Sequence, residues 1–393
     1  FRRVLFRSNL SMKDLFLLTP DITYLNFGSL GACPKPIFET YQQWQLQLER
    51  EPVHFIVHQA IEELERARTG LAKFIGANPM DLVLVTNPSY AVNTIAKSIP
   101  LQAGDEVLTS SLEYGACDRT WEFYCAQKGA RYVRQPIPLP IQSKEHFLEA
   151  FWKGCTPKTK AVFISHITSA TGLILPVYEI CAEAKSRGLI TIVDGAHAPG
   201  HLPLNLNTLQ ADVYTGACHK WMMAPKGASF LYVTKALQAW VKPLVISWGY
   251  GSPTPSSSLF IDWHQTSGTR DYAAFLSIPA CIEFREAHNW NAVGADCRKL
   301  VLTHAPRFCA LMGQNPLSPL TEAFIGQMFS IPVKTSNPLE LKRLLYHHYR
   351  IEIPVTEYEG RYCLRYSVQG FNSQKDLNLL FEAMEDLLRK GIL

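Results

Sequence analysis

The sequence predicts an α/β fold with a mostly parallel sheet, and three observations carry that prediction. Short apolar, β-branched runs alternate with helical patterns from position 82 to 220, at about 20–30 residues per strand–helix unit. Two of these runs end in ionisable residues: Leu189-Ile-Thr-Ile-Val193 leads into Asp194-Gly-Ala-His197, and Ala211–Ala217 leads into His219-Lys220-Trp221. Open α/β sheets bind ligands at the carboxyl ends of their strands, so an acid and an amine there mark that edge as the candidate site. From roughly residue 288 the pattern changes to a smaller α+β unit, with strands near 326–333 and 362–368 and helices near 339–348 and 374–390.

Taken in order, Asp21-Ile-Thr-Tyr-Leu-Asn26 predicts a short strand entering the glycine turn Phe27–Gly31, and a helix is expected from about Ile37. Asn26 either caps that turn or offers its amide to a substrate carboxylate. Gln59–Ile75 keeps helical spacing through Ile61, Leu64, Ala67, Leu71 and Phe74, and Gly76 stops it. His54 and His58 stand four apart, a metal-ligand spacing, but no acidic or histidine partner is evident nearby and no metal is expected. Leu82–Thr86 and a helix from Val92 flank Asn87-Pro88-Ser89-Tyr90-Ala91. The N–H groups at that helix start, with the Ser89 hydroxyl, suit an anion, and plain N-capping by Ser89 accounts for the same residues.

Glu106–Thr109 reads as a strand, and Tyr114 follows at the turn into a helix near 118–128, where its ring either stacks on a flat ligand or packs in the core. Arg131–Arg134 and Lys160–Ser165 are further strands. The second ends in His166-Ile-Thr168-Ser169-Ala-Thr171-Gly172, whose hydroxyls suit a cofactor oxygen. A helix runs from Pro176 to Arg187, and Gly227–Val233 adds a strand. Gly249–Ser258 is a loop whose Gly-x-Gly lacks the strand-to-helix context of a dinucleotide site. Thr266-Ser-Gly268-Thr269-Arg270-Asp271 is expected to open a helix through Tyr272–Ala287, and a hydroxyl beside a glycine at a helix start suits a phosphate. Arg365 lies inside an apolar strand, where a guanidinium is costly unless paired, so a carboxylate partner is expected. Ser373 with Asp376 is a capping-box pattern for the last helix.

With 393 residues the chain should divide into two domains. The expected boundaries are an N-terminal extension at 1–20, a large domain at 21–265, and a linking helix with a small α+β domain at 266–393, completed by the N-terminal segment. Phe1–Ser8 is basic, short and without a cleavage site, and reads as a cloning or sequence-assembly remnant. The net charge of +4 is too small and too spread to argue for nucleic acid, and no run approaches the roughly 18 apolar residues of a membrane span. Ten irregularly spaced cysteines without a Cys-x-x-Cys pair suggest reduced thiols in a cytoplasmic protein.

A carboxylate and a lysine held at strand ends are what a pyridoxal 5'-phosphate (PLP) enzyme needs: the lysine forms the Schiff base and the acid pairs with the ring nitrogen. A buried ion pair accounts for the two residues equally well. The ordered set of motifs adds a resemblance. Tyr24-Leu-Asn26, Thr86-Asn-Pro-Ser-Tyr90, Glu113-Tyr114, His166…Thr171-Gly172, Asp194-Gly-Ala-His197, His219-Lys220-Trp221, Gly268-Thr-Arg-Asp271 and Leu364-Arg365-Tyr-Ser367 resemble the class V aminotransferase group of fold-type I PLP enzymes. Within it, the isopenicillin N epimerase-like proteins look most similar.

The resemblance implies a large domain around a mostly parallel seven-stranded sheet, and PLP as cofactor. It implies Lys220 as covalent anchor and proton shuttle, Asp194 at the ring nitrogen, and His197, helped by Ser169, near the phenolic oxygen. Tyr114 takes the stacking place. Ser89, Tyr90 and His219, with Thr215 a weaker candidate, line the phosphate seat, and Thr269 reaches the phosphate across a homodimer interface. Arg365 and Asn26 clamp the substrate carboxylate. The implied reaction proceeds through a Cα carbanion of an amino acid or peptide-like substrate. Epimerisation or racemisation comes first, then β-elimination at a C–S bond, then transamination; Tyr114 is a candidate to return the proton in epimerisation because its hydroxyl is the nearest named donor on the stacking side. Residues 350–360 hold no cysteine, which argues against a persulfide-type desulfurase. The reading from another class is a catalytically inactive PLP-fold binding protein.

Overall fold

The structure is a computed structural model that describes residues 11–393; the reading of Phe1–Ser8 falls outside the described residues. Its strands are β1 (Thr23–Tyr24), β2 (Leu82–Val85), β3 (Glu106–Ser110), β4 (Arg131–Gln135), β5 (Thr159–Ser165), β6 (Ile190–Asp194), β7 (Val213–Ala217), β8 (Ser229–Val233), β9 (Met328–Val333), β10 (Ile351–Glu352), β11 (Val355–Tyr358) and β12 (Arg361–Ser367). β2 to β8 form one seven-stranded sheet in the order β2-β8-β7-β6-β5-β3-β4. β8 pairs antiparallel with both neighbours, and the other pairs are parallel.

Strand composition explains why this sheet is central. Successive side chains point to opposite faces. In β5, Ala161 and Phe163 join one apolar cluster while Val162 and Ile164 join another. Both faces are apolar because helices cover both, including Pro88–Ser98, Gly115–Gln127 and Val177–Ser186, and such strands read as unbroken hydrophobic runs. The edge strand β4 is the exception. It carries exposed Arg131 and Arg134, charges that discourage pairing with another chain.

The chain lays down β3 and β4 in one direction and then returns past β3 to build β5, β6 and β7 in the other. Strand order therefore reverses between β3 and β5, and the crevice at their carboxyl ends is where such folds bind ligands. Ser110, Ser165 and Asp194 are the last residues of β3, β5 and β6.

The smaller unit is an antiparallel sheet in the order β11-β12-β9. β1 pairs in parallel with β10, and Ser367 N–H donates to the Leu25 carbonyl at 2.8 Å, so the N-terminal segment is bound to this unit. Several expectations need correction. The helix expected from Thr266 starts at Ala273 and breaks into Ala273–Leu276 and Ile278–Ala287. Gly268 takes φ +107, outside helical space, and the Asp271 carboxylate accepts Ala273 N–H at 2.7 Å. The helices Lys144–Trp152 and Trp290–Met312 and strand β11 have no counterpart in the sequence reading. Trp290–Met312 carries Pro306 inside it, a residue that normally argues against a helix interior. The last helix does carry the Ser373–Asp376 capping box.

Candidate active site

Asp194 closes β6, and Lys220 stands three residues beyond the end of the adjacent β7. Both line one hollow of about 680 Å³, together with His197, His219, Ser169, Tyr114 and the Asn87–Ser89 turn. Two glycines let the backbones meet there. A Cβ on Gly195 would lie 2.1 Å from the Tyr214 ring, and one on Gly31, at φ +67, would lie 2.3 Å from the His219 carbonyl oxygen.

Lys220 is half-buried with its amine turned inward, and it has no ion-pair partner among the described residues. Its Nζ lies 3.2 Å from His197 Nε2. Burial first, then the Arg365 charge, bring its amine down to about 8. Asp194 Oδ1 accepts Ala196 N–H at 2.9 Å, while Oδ2 meets only the Cys117 thiol at 3.5 Å. Burial pushes this carboxyl up, and a cation at Oδ2 would reverse that shift. Burial holds His197 well below its ordinary value. His219 Nδ1–H donates to the Ala228 carbonyl at 3.0 Å, and burial lowers this ring to about 4.

Asn87, not Ser89, caps the helix Pro88–Ser98: its side chain accepts Tyr90 N–H at 2.8 Å. That leaves the Ser89 hydroxyl free of capping, on the lining of the hollow. Tyr90 does not line it; its ring packs with the cluster around Val83 and Val85. Thr215 also leaves the expected phosphate seat, because its hydroxyl donates to the Phe230 carbonyl at 2.7 Å within the sheet. Thr269 is exposed and not at a helix start. Tyr114 is 46% exposed at the hollow.

Arg365 lacks the expected carboxylate partner. Its Nη1 donates to the Ser169 carbonyl, its Nη2 to Ser29 Oγ at 2.9 Å, and its buried Nε has no partner among the described residues. The Ser29 hydroxyl donates to Asn26 Oδ1, so Asn26 reaches the guanidinium through Ser29. Arg365 is 2% exposed and stands behind Ser29 and Ser169, which line the hollow. Burial brings it down to about 10.

Sequence reasoning missed four contributors. Ser29 carried a signal, since it follows Asn26 within one turn. Cys117 appeared only as one of ten scattered cysteines. Trp221 was read as part of a motif without a contact of its own. Glu113 is buried: Ser110 Oγ and Ser165 Oγ each donate to it at 2.5 Å, and Ser165 N–H at 2.8 Å. It thus ties the ends of β3 and β5 together at the reversal of strand order. Burial outweighs these donors and pushes its carboxyl up to about 8.

A phosphorylated pyridine fits this donor set. The hollow offers a buried acid with one oxygen weakly engaged, a buried amine free of carboxylates, and a helix start with a free serine hydroxyl. Among the described residues no three His, Cys, Asp or Glu side chains gather as a metal group.

The aminotransferase class-V family model matches residues 34–380. Isopenicillin N epimerase of Streptomyces clavuligerus is 34% identical over 384 residues, covering 94% of this chain and 96% of that protein. A probable chloroplastic L-cysteine desulfhydrase of Arabidopsis thaliana is 26% identical, covering 95% and 84%. The solved apo structure of a cysteine desulfurase from Thermococcus onnurineus NA1 superposes with a TM-score of 0.83 at 21% identity, covering 98% of this chain and all of that one. The chain therefore belongs to the class V aminotransferases, with the fold-type I architecture and pyridoxal 5'-phosphate as its cofactor.

Proposed function

We propose that the protein is an isopenicillin N epimerase-like epimerase or racemase, acting at Cα of an amino acid or aminoacyl substrate. The observation that carries this reading is the Lys220 amine, buried beside His197 and Asp194 with its pKa near the working range of a proton shuttle. Identity of 34% to an isopenicillin N epimerase over nearly the whole chain supports it.

Bound PLP supplies an electron sink for the charge that develops at Cα. In this reading Lys220 Nζ would hold the cofactor and would serve as base for the α-proton. Asp194 would hold a proton at the ring nitrogen. His197 and Ser169 would serve the phenolic oxygen, Ser89 and His219 the phosphate, and Tyr114 would lie against the ring and serve as the second proton donor. Arg365, positioned by Ser29 and Asn26, binds the substrate carboxylate. We place the large domain at 21–265 and the small one at 266–393. We also read the enzyme as a cytoplasmic homodimer. Thr269 is exposed beside a loop that presents Ile246 and Trp248 to solvent, an arrangement that suits a second copy.

A second reading, β-elimination at a C–S bond, draws on the likeness to the desulfhydrase. Transamination needs only the same lysine. We set persulfide-type desulfuration aside because residues 350–360 contain no cysteine and Cys363 is fully buried. An inactive binding protein is disfavoured because the amine, the acid and the guanidinium are all present.

The deciding experiment is α-deuterium exchange in D₂O over a panel of amino acids and peptides. An epimerase returns deuterated substrate of both configurations and releases nothing. Sulfide with ammonia would establish the lyase, and a keto acid the aminotransferase.

A further inference from the structure

We propose that Trp221 is a positioning residue: its indole N–H sets the tautomer of His197, and His197 in turn favours Lys220 as a neutral amine over the ammonium. This rests, for its functional meaning, on Lys220 being the residue that takes up the cofactor.

An indole Nε1 can only donate. It lies 3.3 Å from His197 Nδ1, so that nitrogen accepts. The proton of a neutral imidazole then sits on Nε2, which faces Lys220 Nζ at 3.2 Å. An N–H directed at an amine needs a lone pair there, which an ammonium lacks. Were Lys220 charged and donating, both ring nitrogens would have to accept, and only an imidazolate does that. A cationic ring fails too, because its Nδ1–H would oppose the indole N–H. With the indole bond in place, His197 is the neutral Nε2–H form, which accepts the uncharged amine as a partner and works against the ammonium.

The surroundings hold this arrangement rigidly. Trp221 is fully buried and stacks on His201 at 4.0 Å. Its carbonyl accepts from Arg285 at 2.9 Å. His201 Nε2 accepts Gln327 N–H at 2.6 Å, so its Nδ1–H donates to the His197 carbonyl at 3.1 Å. His197 is thereby fixed by its ring and its backbone. The titratable and charged groups facing the pair are Asp194, Cys117, His201, His219 and Arg365. Arg365 disfavours a second cation, and Asp194 alone among the unambiguous charges favours one.

The test uses the purified full-length enzyme labelled with ¹⁵N-histidine, with His197→Gln to assign the signal. The expected result is an Nε2–H ring at His197 that stays neutral from pH 6 to 9, both before and after cofactor removal. An Nδ1–H ring or a titrating one would overturn the proposal. The second arm compares wild type with Trp221→Phe, which keeps the aromatic packing and removes the donor. Both tautomers should appear in the variant. After cofactor removal, the pH midpoint for modification of Lys220 by reductive methylation should rise by about one unit, a tenfold loss of neutral amine below it. A variant that folds, by circular dichroism, with an unchanged midpoint would also overturn the proposal. A wild type with the expected ring signal that takes up no PLP would overturn the assignment of Lys220 instead, so the two failures are told apart.

Discussion

The amine wall and the guanidinium wall of the hollow differ in how far apart along the chain their parts lie. Asp194, His197, Lys220 and Trp221 come from two neighbouring strands of one sheet and the turns that leave them. Arg365 comes from β12 of the small unit, and its partners Ser169 and Ser29 lie 196 and 336 residues away in sequence. The Ala170 carbonyl beside Ser169 accepts from Thr356 Oγ1 at 2.8 Å and Ser330 Oγ at 3.0 Å, which fastens the β5 turn to the small sheet. One wall is built into a sheet buried on both faces. The other exists only where three segments meet. In the proposed function, chemistry that demands fixed proton positions would sit on the first, and recognition of a substrate carboxylate on the second.

Substitutions can break this comparison in order of size. Lys220→Ala should abolish turnover and the visible absorption of the enzyme on adding PLP; retained turnover would remove the anchoring role altogether. Arg365→Ala should weaken carboxylate substrates by about 2–5 kcal/mol, read in KM, while leaving PLP binding intact. An equal loss of PLP would mean that the two walls are not separable.

Glu113 sharpens the first wall. Its carboxyl has a folded value of about 8 against an ordinary value of 4.5, so between those limits the folded state holds a proton that the unfolded chain releases. Its contribution is therefore fully present below about 4.5 and is lost as pH rises through about 8. Glu113→Gln should flatten that decline, an effect on the order of 5 kcal/mol across the window. Thermal unfolding of both proteins at pH 5 and 8 measures it, and parallel declines would show that the acid ionises without cost. The smallest effect is expected at the seam. Thr356→Val removes one hydrogen bond to Ala170 and should cost about 1 kcal/mol of stability. Its kinetic mark should be a raised KM with kcat kept, the pattern of weakened substrate binding.

Legibility in the sequence followed the same division. The strands β2, β3 and β5 to β8 are visible because a strand covered on both faces must be apolar throughout. Asp194 and Lys220 stood out because each ends such a run. Ser89 does not cap the helix, because the helix already starts at Pro88 and Asn87 is its N-cap. Tyr90 and Thr215 matched motif positions, yet their side chains point elsewhere, and spacing alone does not tell which face a residue takes. The helix expected at Thr266 failed because Gly268 leaves helical space.

What the sequence determined by itself was the periodic framework and the chemical types at its strand ends, because burial and strand geometry act over a few neighbouring residues. What only the tertiary structure decided were the partners: Ser29 and Ser169 on Arg365, Trp221 on His197, Glu113 between Ser110 and Ser165. Hydrogen bonds are satisfied across space and carry no fixed separation along the chain, so a linear pattern leaves them unwritten until the backbone folds.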